Sequence, residues 1–191
     1  MKNLKLILLA IVVSLAGVSC SSDDDSDSAP VVNNVMELAG QQYDIDSALL
    51  ESYGENEDGS YDWDVTFLSG LTYNSETELY SGDGSFLYLD LNTDSAGGLV
   101  PGIYTYSPEY VREAFKWVYA GSGTYVDTDV PGVFGNFNEY SQGTVTITGT
   151  DDDQTITVDL STEDGETTAT ATYQGSFQFV DYSMTKKNKK K

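Results

Sequence analysis

Carboxylates are the reactive side chains that this sequence of 191 residues offers in quantity. It contains 31 aspartate and glutamate residues, no histidine and one cysteine. The lack of histidine excludes a histidine-based catalytic triad and a histidine-liganded zinc site, and a single cysteine excludes an intrachain disulfide. The chemistry that remains is that of carboxylate pairs, or of serine and threonine activated by lysine.

Asp62 and Asp64 form the clearest carboxylate pair, because residues two apart on a strand share one face. A glycosidase needs two carboxylates about 5 Å or about 6.5–9.5 Å apart. Charged side chains are seldom buried unless they are paired, so we interpret this pair as part of a solvated strand face. A carboxylate-based hydrolase is therefore the least favoured function, and we predict that the protein is not an enzyme.

Two acidic segments offer oxygen ligands for calcium without the full spacing of a calcium loop. The segment from Asp90 begins like an EF-hand, but Ser95 stands where glycine belongs and Pro101 where the bidentate glutamate belongs. A hairpin turn carries the other candidates, Asp151, Asp152 and Asp153. We interpret both segments as solvated turns and predict no cofactor, with loosely bound calcium at the second turn as the alternative.

Aromatic residues are the stronger indication of a binding site. The segment 130–140 carries Phe134, Phe137 and Tyr140 among glycine and asparagine residues, and Trp117 on a preceding strand is a fourth candidate. Aromatic rings on a β-scaffold can stack on a sugar ring while polar neighbours bond its hydroxyl groups. A glycan is the ligand predicted for such a segment. Because loops more often pack their own side chains, we favour the arrangement in which the segment packs its rings over the core, with glycan binding as the alternative.

Alternating apolar and polar residues predict the strands that must position these side chains. The clearest alternation lies in 144–148, 155–160 and 168–173, which predicts a three-stranded meander. Further strands are predicted at 42–50, 61–68, 86–91, 102–106 and 115–120. One short helix is predicted over 108–114, with Ser107 as its cap and Pro108 at its first position.

The number of strands predicts an all-β protein. Eight or nine strands joined by short turns form either a sandwich or a closed barrel. Segments 69–84 and 121–141 are long spacers that do not suit a tight meander barrel. We therefore favour an antiparallel two-sheet β-sandwich, with a calycin-like closed barrel as the alternative.

The first nineteen residues have the layout of an export signal. Lys2 and Lys5 precede the apolar run 6–13, which is followed by small residues and then by Cys20. This arrangement resembles the lipobox of bacterial lipoproteins. The resemblance implies that the Cys20 thiol takes a diacylglycerol, that the leader is cut just before it, and that the new amine is acylated. Several acyl chains would give a lasting membrane anchor.

The residues after Cys20 form a short acidic run. Ser22, Asp23, Asp24 and Asp25 resemble the export signal of Bacteroidota lipoproteins. The resemblance implies an outer-membrane lipoprotein exposed on the cell surface, and a position facing the periplasm is the alternative. A solvated tether is expected in either case.

The body of the chain also resembles small surface lipoproteins of Bacteroidota. The residues that carry the resemblance lie in segments 40–43, 99–106, 143–147 and 173–175. It implies the fold class and the location, and it brings no reaction with it.

The formal net charge of −22 bears on the partners of the protein. Between Ala29 and Thr185 the only basic residues are Arg112 and Lys116. Nucleic acid is excluded as a partner because phosphate binding needs a basic face, and self-repulsion favours a monomer. Apart from Lys2 and Lys5 in the leader, the remaining lysines lie in the tail 184–191. We interpret this tail as solvated, with contact to anionic lipid as the alternative.

These observations divide the chain into a signal peptide at 1–19, a lipidated tether at 20–34, one β-domain at 35–183 and the basic tail. The predicted function is a lipid-anchored, non-catalytic binding module. The alternative is a structural or accessory subunit of a cell-envelope complex, whose partner would be an envelope protein.

Overall fold

Fourteen β-strands form the framework of the part of the chain that the structure describes. The computed structural model describes residues 33–125, 134–150 and 153–183. Numbered in chain order, the strands are β1 Val35–Leu38, β2 Gln41–Asp44, β3 Ser47–Glu55, β4 Tyr61–Ser69, β5 Thr72–Asn74, β6 Leu79–Ser81, β7 Gly84–Thr93, β8 Gly102–Tyr106, β9 Lys116–Tyr125, β10 Phe134–Tyr140, β11 Gln142–Thr148, β12 Thr155–Ser161, β13 Thr168–Gln174 and β14 Gln178–Asp181.

Twelve of these strands belong to one curled, mixed sheet. Its order is β14-β3-β4-β7-β9-β8-β11-β12-β13-β1-β2, and β10 pairs with the second half of β9. Neighbouring strands are antiparallel except for β14 with β3 and β8 with β9, which are parallel. The remaining strands, β5 and β6, form a separate two-stranded hairpin.

The all-β prediction is confirmed, but the two-sheet sandwich of eight or nine antiparallel strands is wrong. The closed-barrel alternative does not fit either, because β14 and β2 end the strand path and do not pair with each other in the described chain. The difference arises from the two predicted spacers. Segment 69–84 holds β5 and β6, while segment 121–141 holds the end of β9 and the whole of β10.

The predicted meander is confirmed as β11, β12 and β13. Val145 pairs with Val158, and Val158 pairs with Ala171, so the apolar residues of the three strands form rows across the sheet. All three side chains are buried, whereas the intervening threonines on β13 are more exposed. The alternation in the sequence therefore matches a sheet that has one buried face and one solvated face.

The curl of the sheet brings distant strands together around the main core. The ring centroids of Phe67 on β4 and Tyr173 on β13 lie 5.3 Å apart, although several strands separate them in the sheet order. Trp117 and Tyr104 are both 0% exposed in the same core. The strands of this one large sheet thus bury its inner face by packing against each other, and no second sheet covers that face among the described residues.

A second, smaller core lies on the opposite face of β3 and β4. It contains the buried residues Leu49, Leu68, Leu71 and Tyr125. Strand β4 is consequently buried at every position from 62 to 68. Several polar side chains, including those of Asp62, Asp64 and Asp90, are buried on this covered outer face.

The predicted helix over 108–114 is instead a loop containing turns. The predicted cap is present, because Ser107 Oγ accepts a hydrogen bond of 3.0 Å from the amide of Val111. The loop is held by the Ser60 hydroxyl, which donates to the carbonyl oxygen of Arg112 over 2.9 Å. These contacts carry Arg112 to the outer face of the sheet.

Candidate functional site

Three acidic side chains lie in one row across the outer face of the sheet. Glu51 on β3 pairs in register with Asp64 on β4, and Asp64 pairs with Asp90 on β7. Asp90 in turn pairs with Tyr119 on β9. Directly opposed residues on one face lie roughly 5 Å apart between Cβ atoms. Glu51, Asp64 and Asp90, termed the acid row below, are therefore direct neighbours.

The strand alternation that places these acids also buries them. In β4, Trp63 and Val65 point into the core, so Asp62 and Asp64 take the outer face. Asp62 is 4% exposed and Asp64 6% exposed, and the prediction of a solvated face for this pair is wrong. The side chains are covered by neighbours that are remote in sequence.

The Asp64 carboxyl group has a strongly perturbed pKa. Its pKa is raised to about 8, mainly by burial and also by the neighbouring carboxylates Asp90, Asp62 and Glu51. A hydrogen bond from the Tyr88 hydroxyl to Asp64 Oδ2, with an oxygen–oxygen distance of 2.5 Å, acts in the opposite sense. Asp64 therefore holds a proton at neutral pH.

Arg112 is the cation that compensates the acidic cluster. Its guanidinium nitrogen Nη1 lies 2.7 Å from Asp62 Oδ1, and Nη2 lies 2.9 Å from Asp90 Oδ2. A further bond of 3.2 Å from Nη1 to Asp90 Oδ1 makes the contact with Asp90 bidentate. Burial opposes the charge on Arg112, but Asp90 and Asp62 outweigh it and raise the arginine pKa.

The same acids have the spacing of a metal site. Carboxylate oxygens of Asp62, Asp64 and Asp90 lie within 4.8 Å of one another. Two of the three residues already accept hydrogen bonds from Arg112, which supplies the positive charge that a metal ion would otherwise provide. The carboxylates of Asp62 and Asp90 are thus already paired with the Arg112 guanidinium. The three acids could hold a metal ion only if Arg112 moved away.

An apolar cavity of about 460 Å³ opens beside the acid row on the same face. Strands β4, β7 and β9 form its floor, while the β5–β6 hairpin and β10 form its sides. The described residues that line it are Thr66, Leu71, Tyr80, Phe86, Tyr88, Tyr119, Tyr125 and Phe137. Six of these residues are aromatic, and none of the acid row is among them. We refer to this space as the aromatic cavity.

Phe137 reaches the aromatic cavity across two glycines of β9. A Cβ atom at Gly121 would lie 2.7 Å from the Phe137 ring, and one at Gly123 would lie 3.3 Å from it. The ring also lies 6.3 Å from the ring of Phe86, measured between centroids. The glycines in β9 therefore leave the space that the Phe137 side chain occupies.

The hydroxyl groups around the aromatic cavity are largely engaged with the protein. The Tyr88 hydroxyl donates to Asp64, and the Tyr125 hydroxyl donates to the carbonyl oxygen of Tyr80 over 3.1 Å. The Tyr119 hydroxyl donates to Glu139 Oε1 over 3.2 Å. A bound molecule would thus meet ring faces and apolar side chains more than free hydrogen-bond donors.

The structure brings one of the predicted ligand-binding residues to the cavity. Phe137 lines it and is 46% exposed. Tyr140 is buried and its hydroxyl lies 2.6 Å from Ser122 Oγ, while Trp117 is buried with its ring 4.5 Å from that of Tyr106. Phe134 begins β10, and its side chain lies outside the described part of the structure. The segment therefore combines a core-packing end with a cavity-lining residue.

Sequence reasoning missed Tyr80, Tyr88 and Tyr119 as members of one site. Tyr88 alternates with the buried Leu87 and Leu89, which predicts that Tyr88 lies on the opposite face of the sheet. The alternation does not predict which residues cover that face. Arg112 carried a usable signal, since it is one of only two cations between Ala29 and Thr185. Its pairing with buried carboxylates could have been predicted from that scarcity.

Most residues of the remaining predicted sites lie outside the part of the chain that the structure describes. Asp153 is exposed, and its amide donates to the carbonyl oxygen of Thr150 over 3.2 Å, whereas Asp151 and Asp152 lie outside the described residues. Cys20 and the export residues Ser22 to Asp25 also lie outside them. Across the described ranges, no helix has the length and apolar character that a membrane span requires.

Comparison with known proteins adds no relative. No protein-family model matches the chain, and the searches of curated proteins and of solved structures returned no significant match. The function of the chain is therefore inferred from its own residues.

Proposed function

We propose that this protein is a lipid-anchored lipoprotein of the outer membrane, exposed at the cell surface, that acts as a non-catalytic binding module. Its lipid would be carried by Cys20 and its export directed by Ser22, Asp23, Asp24 and Asp25, as their resemblance to lipoprotein signals implies. Its ligand would occupy the aromatic cavity. The single observation that carries the binding role is this cavity, with six aromatic residues in its lining.

Size and composition both support a ligand site. Small-molecule sites in proteins have volumes of roughly 300–1,000 Å³ and are lined mainly by apolar and aromatic side chains. The aromatic cavity has a volume of about 460 Å³, and Phe137 at its side is 46% exposed. Apolar surface left in contact with water is unfavourable, so a molecule that covers these rings gains free energy on binding. The apolar face of a sugar ring or an aromatic ring would stack there.

A carboxylate hydrolase is the second candidate, because one specific observation favours it. Asp64 has a raised pKa, and its neighbour Asp90 is paired with the Arg112 guanidinium. Two carboxyl groups in such different environments can divide the roles of acid and base. Asp64 and Asp90 are each 6% exposed and neither lines the cavity. A substrate in the cavity would not reach both carboxyl groups, so binding is the better-supported function.

The ligand role is tested by a binding screen on the full chain, exported by its host and solubilised in detergent. Small aromatic compounds and mono- and disaccharides would be compared by their effect on the melting temperature of wild type, Phe137→Ala and Phe179→Ala. Phe179 is a matched control because it is an exposed phenylalanine that does not line the cavity. Stabilisation lost only in Phe137→Ala supports the proposal, and equal responses in all three contradict it.

The anchor is tested separately. Labelling with an acyl-chain precursor should mark the wild-type chain but not Cys20→Ala. Protease treatment of intact cells should then remove the labelled protein if it faces outward. An unlabelled wild-type chain would refute the anchor, and protection from protease in intact cells would favour the periplasmic side.

A further inference from the structure

The chemistry around the aromatic cavity narrows the class of ligand. We propose that the cavity binds an organic ammonium cation, one whose positive nitrogen carries apolar substituents, with the rings of Tyr80, Tyr88, Tyr119 and Phe137 around the cation and the acid row behind them. This inference rests on the proposed binding function and specifies its ligand.

The aromatic rings that line the cavity favour a cation. The face of an aromatic ring carries negative charge density, and cations are attracted to it over distances of up to about 6 Å. The rings of Tyr88 and Tyr119 are inclined at 57° with centroids 5.9 Å apart, so they present faces in different directions. Phe86 and Phe137 flank them on the same surface. A group of inclined rings around one space is the arrangement that recognises alkylated ammonium groups.

The acid row also favours a cation. Tyr88 belongs both to the cavity wall and, through its bond to Asp64, to the buried carboxyl cluster. Tyr119 is the register partner of Asp90. The cluster contains the acids Glu51, Asp62, Asp64 and Asp90 and one guanidinium, that of Arg112. The second cation of the body, Lys116, donates to Thr105 Oγ1 over 3.0 Å. Carboxyl groups therefore outnumber the cation behind the cavity.

The negative charge of the other carboxylates reaches the cavity wall. Burial is the largest cause that raises the pKa of Tyr80, to about 12, and the charge of Glu51 adds to it. Burial is also the largest cause that raises the pKa of Tyr88, and the charge of Asp90 acts in the same direction. A carboxylate charge that disfavours a negative charge on these phenols favours a positive charge placed at the same point.

Hydration decides which cation fits. A metal ion or a primary ammonium is strongly hydrated and needs oxygen ligands or hydrogen-bond acceptors in exchange for its water. The cavity offers few, because the hydroxyls of Tyr88, Tyr119 and Tyr125 already donate to protein oxygens. A quaternary or heavily alkylated ammonium has no such requirement, and its apolar substituents gain from contact with the rings.

The test compares a cation with a neutral molecule of the same shape. Choline and 3,3-dimethylbutan-1-ol differ in having nitrogen or carbon at the branched centre, so their affinities for the full, detergent-solubilised chain separate charge from shape. We expect choline to bind about tenfold more tightly than the alcohol. Phe137→Ala and Glu51→Gln should each weaken choline binding severalfold, whereas Phe179→Ala should not. Glu51→Gln keeps the side-chain shape, and circular dichroism would verify the fold of each variant.

The outcomes separate this inference from the proposed function. Equal or tighter binding of the neutral alcohol, with loss in Phe137→Ala, would overturn the preference for a cation and leave the cavity as a binding site. If neither probe binds, or if their binding is unaffected by Phe137→Ala, the cation inference is overturned. If the screen of aromatic compounds and saccharides is negative as well, the proposed binding role is also refuted.

Discussion

The Tyr88 hydroxyl donates a hydrogen bond to Asp64 Oδ2, with 2.5 Å between the two oxygen atoms. This bond joins the wall of the aromatic cavity to the buried acid row, since Tyr88 lines the former and Asp64 belongs to the latter. A change at either residue should therefore affect both the stability of the sheet and the environment of a bound ligand.

Replacement of Tyr88 by phenylalanine should destabilise the protein. Phe keeps the ring in the cavity wall but removes the hydroxyl donor, which leaves Asp64 with an unsatisfied carboxyl oxygen. We expect the free energy of unfolding to fall by about 1–3 kcal/mol, as measured by denaturant titration. Tyr110→Phe is the control, because Tyr110 is 63% exposed. Equal effects of the two substitutions would show that the Tyr88 bond contributes nothing of its own.

Stability should decrease as pH rises through the range set by Asp64. Its pKa is about 8 in the folded state against an ordinary value of 3.8, so between these values the folded chain holds a proton that the unfolded chain has lost. The contribution of Asp64 to the free energy of unfolding is therefore fully present below pH 4. Between pH 4 and pH 8 this contribution declines by at most about 1.4 kcal/mol per pH unit.

The group responsible can be identified by substitution. The carboxyl groups that face Asp64 are Glu51, Asp62 and Asp90, and Tyr88 is its hydrogen-bond donor. Asp64→Asn removes the titration, so its unfolding free energy should vary less with pH than that of wild type across pH 5–8. If both proteins show the same pH profile, a titrating Asp64 is not the cause.

Loss of Arg112 should be more damaging than loss of the other cation of the body. Arg112→Ala would leave Asp62 and Asp90 buried without their positive partner. We expect a loss of about 2–3 kcal/mol of unfolding free energy, below the range for fully buried pairs because the Arg112 side chain is 37% exposed. Lys116→Ala, which removes one exposed hydrogen bond, should change stability by less than about 0.5 kcal/mol. A similar effect of both variants would argue against a structural role for the Arg112 network.

An added methyl group at Gly121 should disturb the aromatic cavity. The new Cβ would lie 2.7 Å from the Phe137 ring, and the ring would have to move because the backbone of β9 is held on both sides. Choline binding should therefore weaken in Gly121→Ala, with only a modest change in melting temperature. Gly97→Ala is the matched control, since its Cβ would have ordinary contacts. Unchanged choline binding in Gly121→Ala would mean that the position of Phe137 is unimportant for the ligand.

The contrast between the meander and the outer face shows what local patterns can predict. Val145, Val158 and Ala171 alternate with polar residues on a sheet that has one solvated face, so the sequence pattern matches the structure. Asp62 and Asp64 show the same alternation, but their face is buried. The reason is the contact of Asp62 with Arg112, fifty positions later in the chain, which a local pattern does not contain.

The strands at 121–125 and 134–140 were missed for a related reason. Gly121 and Gly123 have the character of turn residues, yet they lie inside β9 because Phe137 takes the space that their side chains would fill. The fold class and the meander could thus be predicted from alternation. The curled sheet, the acid row and the cavity depend on contacts between strands that only the folded chain brings together.

The most direct test of a ligand site on the outer face is to map choline binding by NMR on the full chain. The account predicts concentration-dependent shifts of the backbone amides of Tyr80, Phe86, Tyr88, Tyr119 and Phe137, with little change in the meander β11–β13. Shifts that cluster on the meander, or on the exposed face around Phe179, while the cavity residues stay unchanged would contradict it.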